Sequence, residues 1–141
     1  MKDFILKYVF RINPNTPGQT LLKSFIQRFP EATNIEWSKE NDNHFEVIFR
    51  VNGIEQIAWF EKSGKWLKTE TNFKIDMLDH LVREKLETFG QIMSSIFIEK
   101  YDSDASYEFI IRDHFQVRHI FNTDADGNVT DRRNFDEGEL L

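Results

Sequence analysis

Of the four histidines in the chain, His44, His80, His114 and His119, only His80 falls on an expected helix with acids at helical spacing on both sides. Asp76 and Glu84 lie one turn to either side, so on a helix the three share a face. Such a trio binds a metal weakly at best. Two acids flanking a helical histidine are ordinarily a solvated surface, and an acid near a helix start is already explained by the helix dipole. A second candidate is "NTDADGNVTDRRNF", Asn122 to Phe135, where Asn122, Asp124, Asp126 and Gly127 have the outline of a calcium loop. An EF-hand loop also needs a bidentate glutamate at its twelfth position, and counting from Asn122 that position is Arg133. A cation stands where the ion needs an anion, so a turn is expected. Glu46 and Glu108 recur at matching places, but Arg50 and Arg112 offer them same-face partners. No serine lies in Gly-x-Ser-x-Gly, no glycine-rich loop follows a strand, and there is no cysteine. No catalytic residue, metal ligand or cofactor is expected, and the chain reads as a non-enzyme.

Composition narrows the remaining classes. A 141-residue chain fits one domain and buries roughly 70% of its unfolded surface. Fourteen phenylalanines point to a core of large flat side chains. The net charge of −6, with lysine and arginine dispersed, leaves no basic stripe for nucleic acid. No apolar run approaches the ~20 residues of a membrane span. The opening "MKDFILKYVFRI" is interrupted by Lys7 and Arg11 and precedes no small-residue cleavage site, so no export signal is expected.

The elements that must position these residues follow from periodicity. Phe4 to Ile12 fits a helical stripe or a strand face, with a lean towards helix, and "INPNTPGQ" is a linker. Leu21, Leu22, Phe25, Ile26 and Phe29 form one helical face that Pro30 ends. Alternating segments then read as four strands, "NIEWS", "HFEVIFRV", "IEQIAWFE" and "KWLKTE". Asn52-Gly53 joins the middle pair as a type I′ turn. A second helix, begun or capped by Asp76, presents Leu78, Leu81, Val82, Leu86 and Phe89. Four more strands follow in "SSIFIEKY", "YEFIIRD", "FQVRHIFN" and "NVTDRRNF", with Asp113-His114 as the tight turn matching Asn52-Gly53.

The halves align. Phe29 pairs with Phe89, Phe45 with Tyr107, Glu46 with Glu108, Arg50 with Arg112, Gly64 with Gly127 and Phe73 with Phe135, at offsets from 60 to 63. The expected fold class is α+β, a tandem repeat of a helix plus a four-stranded antiparallel meander, with helices packed on one face of a curved antiparallel sheet. Residues 1–18 form an N-terminal segment and linker. Residues 19–141 form a single domain of two repeats, 19–73 and 75–135, with a short C-terminal tail. The halves are expected to share one core.

"FPEATNIEW", "HFEVIFRVNG" and "AWFEKSGKWLKTE" resemble the PepSY-like family, through Phe29-Pro30, Trp37, Phe49, Gly53, Ala58, Phe60, Gly64 and Trp66. The match is specific over Gln19 to Glu70 and loose over the second half, where Gly90 stands where the family often has proline. The resemblance implies a fold like that of the β-lactamase inhibitor protein. It also implies small bacterial proteins of the periplasm or cell envelope, without established enzymatic activity. The inhibitor relative binds its enzyme through the open sheet face.

If Ala58 and Phe60 face the helices, alternation turns Ile57 and Trp59 to the open face. Trp66 is expected beside Trp59 on the adjoining strand, with Lys68 and Glu70 on its side. Tryptophans flanked by charge make interface anchors, so Trp59, Trp66 and Ile57 are the candidate binding residues and an unidentified protein is the expected partner. The competing expectation is a structural or small-ligand-binding cell-envelope domain.

Overall fold

A computed structural model describes residues 16–135; the helix-or-strand choice for Phe4 to Ile12, most of the linker and the C-terminal tail lie outside them. The described elements are a helix α1 (Gln19–Arg28), strands β1 (Thr33–Lys39), β2 (His44–Val51), β3 (Ile54–Glu61) and β4 (Trp66–Asn72), a 3-10 turn (Ile75–Met77), a helix α2 (His80–Glu87), and strands β5 (Gln91–Lys100), β6 (Ser103–Arg112), β7 (Arg118–Asp124) and β8 (Val129–Asn134). The strands form one open antiparallel sheet in chain order. The protein is therefore α+β, with two helices and eight strands described. It divides into two compact units, up to residue 68 and from residue 69.

In the first unit, Leu21 and Phe25 of α1 are buried against Phe45, Val47 and Phe49 of β2 and Ala58 and Phe60 of β3. β2 alternates because its odd-numbered apolar residues face the helix. Phe25 is the hub: its ring meets Phe49 at 5.1 Å and Trp37 at 5.3 Å, both edge-on, the geometry that aromatic quadrupoles favour. The β2–β3 turn has the expected form, with positive φ at both Asn52 (52°) and Gly53 (78°).

In the second unit, Leu78, Val82 and Leu86 pack on Ile92, Tyr107, Phe109, Ile111 and Phe121. Two details differ from the sequence reading. Asp76 does not cap the helix; it lies in the 3-10 turn, and Asp79 is the N-cap, its side chain accepting a hydrogen bond from the Leu81 N–H at 2.9 Å. The buried stripe of the helix is Val82 and Leu86, and Leu81 is left at 65% exposure. The second difference is the β6–β7 turn. It is wider than Asn52-Gly53: the Asp113 N–H donates to the Val117 carbonyl, and the left-handed residue is Gln116 (φ 65°), not His114. Phe115 to Val117, read as strand, therefore form the tip.

Candidate functional site

Cross-strand pairs define the face of the first unit that turns away from its core. Glu46 opposes Trp59, Ile48 opposes Ile57, Arg50 opposes Glu55, and His44 opposes Glu61. From β1, Glu36 opposes Ile48 and Ser38 opposes Glu46. Residues directly opposite share a face, so Ile48, Ile57 and Trp59 form an apolar centre within a carboxylate frame. Trp59 is half-buried and held at two points. Its indole N–H donates to Glu40 Oε1 at 3.0 Å, and Lys68 Nζ lies 4.2 Å from the ring centroid.

Trp66, expected beside Trp59, is a correction. It packs against the first core, and the Arg28 guanidinium of α1 stacks 3.4 Å from its ring centroid. The cause is the β3–β4 turn. Gly64 has a φ of 97°, its N–H donates to the Glu61 carbonyl at 2.9 Å, and the Glu61 N–H donates to the Lys65 carbonyl at 2.8 Å. Glu61 and Lys65 are thus partners, and one step further out Phe60 and Trp66 share a side. Lys68 nevertheless lies over Trp59, so alternation breaks between Trp66 and Lys68. Trp66, Arg28, Ser24, Gln27, Phe60 and Gly64 line a shallow recess of about 330 Å³.

The turn that resembles a calcium loop has the same hydrogen bonds. The Asp124 N–H donates to the Asn128 carbonyl at 3.0 Å, and the Gly127 N–H donates to the Asp124 carbonyl at 3.1 Å. The Asp124 carboxylate is committed to protein donors. Asp124 Oδ1 accepts from the N–H groups of Asp126 and Asn128, and Oδ2 accepts from the Asn128 side-chain amide. The Asn128 side-chain and backbone bonds hold the Asp124 carboxyl below its ordinary value. From α2, Lys85 Nζ donates to the Asp126 carbonyl at 2.9 Å and to Asn128 Oδ1 at 3.1 Å. The Lys85 ammonium thus bonds two oxygens of this turn.

The other chemical candidates are separated. His80 bonds Glu84 at 2.8 Å on the exposed face of α2, and no group of three metal-ligating side chains forms among the described residues. Glu108 meets Arg133 at 4.0 Å, not Arg112, whose Nη2 donates to Gln91 Oε1 at 2.7 Å. One pair escaped the sequence reading: His119 Nε2 bonds Asp113 Oδ2 at 2.8 Å. Asp113 Oδ1 also accepts from the N–H groups of Phe115 and Val117. The bonds from His119 and Val117 hold the Asp113 carboxyl low. Six residues separate the partners, a distance no helical or strand period marks, and only the turn's width brings them together. With both Asp113 oxygens bonded inward, the pair braces the hairpin.

The outer face of the first unit is thus a stretch of open antiparallel sheet whose apolar centre, Trp59 included, is framed by carboxylates. Known structures share that fold. A BLIP-like protein from Bacteroides fragilis superposes with a TM-score of 0.73 at 18% identity, covering 86% of this chain and 91% of its own. A DUF2874 family protein from Bacteroides ovatus gives 0.71 at 20% identity, covering 84% and 88%. A protein provisionally named as periplasmic, from Bacteroides eggerthii, gives 0.71 at 15% identity, covering 84% and 89%. The chain thus has a BLIP-like fold. No protein-family model matches it, and no curated protein matches it in sequence.

Proposed function

We propose that the protein is a non-enzymatic binding module that engages another protein through the outer face of the first unit, with Trp59 as anchor and Ile57 beside it. The observation that carries this reading is the Ile48–Ile57–Trp59 centre, set on the face opposite the core. An aromatic ring positioned by two polar contacts loses little freedom on binding, which is what an interface anchor requires. Inhibition of the partner is the activity implied by the PepSY-like resemblance, and the BLIP-like fold is compatible with it. The test is capture of binding proteins from a native bacterial extract with the parent chain and with Trp59→Ala. Specific partners retained by the parent are lost by the variant; a partner held equally by both rules out this face.

The fold is further proposed to descend from a duplication, with residues 19–73 and 75–135 as repeats. The turns at 61–65 and 124–128 support it, because they fall at equivalent places in the two halves and share one hydrogen-bond pattern. So do the equivalent registers Ile48 with Ile57 and Ile110 with Ile120. A periplasmic or envelope location is proposed from the family resemblance and from the similar Bacteroides eggerthii structure. Among the described residues no helix is long and apolar enough to cross a membrane.

A further inference from the structure

The β6–β7 hairpin carries the most exposed large apolar side chain among the described residues. Phe115, at its tip, is 86% exposed, and Val117 beside it is 45% exposed. An isolated exposed phenylalanine on a loose loop would mean little. This one is held. Asp113 Oδ1 ties the N–H groups of Phe115 and Val117, and Asp113 Oδ2 is bonded to His119. The tip is also framed by cations. Arg112 and Arg118 oppose one another at its base. The Arg118 side chain has no ion-pair partner among the described residues, and the one acid of the tip, Asp113, is turned inward.

The outer face of the first unit has the opposite character. Glu36, Glu46, Glu55 and Glu61 surround Ile48, Ile57 and Trp59, and Arg50, which pairs with Glu55 at 3.8 Å, is the one lysine or arginine that these three strands turn to that face, since Lys39 opposes the core residue Phe45. Glu40 and Lys68, the two groups that hold the Trp59 ring, cancel in charge. One surface is therefore an apolar knob with a basic collar, and the other an apolar centre with an acidic frame. Both belong to the same chain.

We propose that the Phe115 hairpin tip of one molecule docks on the Ile48–Ile57–Trp59 face of a second copy. The proposal goes beyond the binding reading above by naming an occupant for the same face. Tip and face are different patches, so the contact is heterologous. Two molecules close on each other when each tip seats on the other's face; contacts that do not close propagate into chains. A single hairpin contact is small, which puts the dissociation constant at roughly 10–100 μM. The charge frames make the association weaken with salt.

Sedimentation equilibrium of the full chain tests this. At low ionic strength the average mass rises from the monomer value as concentration goes from about 10 μM to about 1 mM, and falls back in about 0.5 M salt. Phe115→Ala, at a solvent-exposed position, keeps the parent's melting temperature and weakens association about tenfold or more. Arg118→Glu does the same through charge. Trp59→Ala, checked for folding by its melting curve, weakens association from the other side. Mixing Phe115→Ala with Trp59→Ala restores pairing above that of either alone, because one carries an intact face and the other an intact tip. A chain that stays monomeric throughout overturns the self-docking, and so does association that Phe115→Ala leaves unchanged. Either result leaves the capture experiment with extract proteins to decide the binding reading on its own.

Discussion

Consider Trp59→Ala measured beside its neighbour Phe60→Ala. Phe60 is 1% exposed, with its ring centroid 6.1 Å from Phe25 and 6.3 Å from Trp37. Truncation leaves a cavity that the surrounding rings cannot fill, at a cost of about 3–5 kcal/mol. Trp59 lies on the other face. Its loss removes one exposed hydrogen bond to Glu40, about 0.5–1 kcal/mol. The Lys68 contact adds about 0.5–1 kcal/mol. The total for Trp59→Ala is about 1–2 kcal/mol, so the variants differ by roughly 2–3 kcal/mol. At a urea slope of about 1–3 kcal/mol/M, their midpoints separate by roughly 1–2 M. The assay is equilibrium urea unfolding followed by far-ultraviolet circular dichroism, a signal independent of the tryptophan removed. Equal midpoints for the two variants refute the assignment of Trp59 to the outer face and, with it, the binding surface.

Three further outcomes are expected. Calcium at millimolar concentration leaves the melting temperature unchanged, whereas a saturable rise of several degrees would show a site in the 122–128 turn; Lys85→Met lowers stability by about 1 kcal/mol by stripping two oxygens of their donor. Asp124 has a folded-state pKa below its ordinary 3.8, so its stabilisation is complete above that value and is lost as pH falls through the depressed one. Acid unfolding curves of the parent and Asp124→Asn therefore converge as pH drops below 3.8, and curves that stay parallel would contradict the linkage. Gly127→Ala costs about 1–2 kcal/mol by thermal melting, because φ is 83° and the new Cβ would lie 3.3 Å from Val82 Cα and Cγ1; no loss would mean that the turn relaxes.

Much of the fold was legible because backbone demand and hydrophobic period agreed. Asn52-Gly53 announced a type I′ turn, and Phe45, Val47 and Phe49 announced the face that α1 covers. Trp66 was misread because alternation carries across a hairpin only when the turn keeps register. Gly64 shifts it, and only the hydrogen bond between Glu61 and Lys65 shows the shift. The start of α2 was misread because Asp76 and Asp79 are equally good caps by type. The choice between them depends on the intervening 3-10 turn, which takes up Ile75 to Met77 and leaves Asp79 as the cap. The tip of the β6–β7 hairpin was taken for strand because Phe115 and Val117 are good strand formers. The bonds that Asp113 makes to their amides override that propensity.

The place that Lys85 takes in the 124–128 turn has a consequence for the conditions the protein tolerates. A loop ordered by a bound metal is only as firm as the supply of that metal, and chelators or dilution soften it. Here the charge that gathers the loop oxygens is tethered to a helix by four methylenes and cannot diffuse away. The local concentration of this built-in cation is constant whatever the medium contains. The two oxygens that Lys85 holds therefore keep their donor in calcium-rich and calcium-poor surroundings alike.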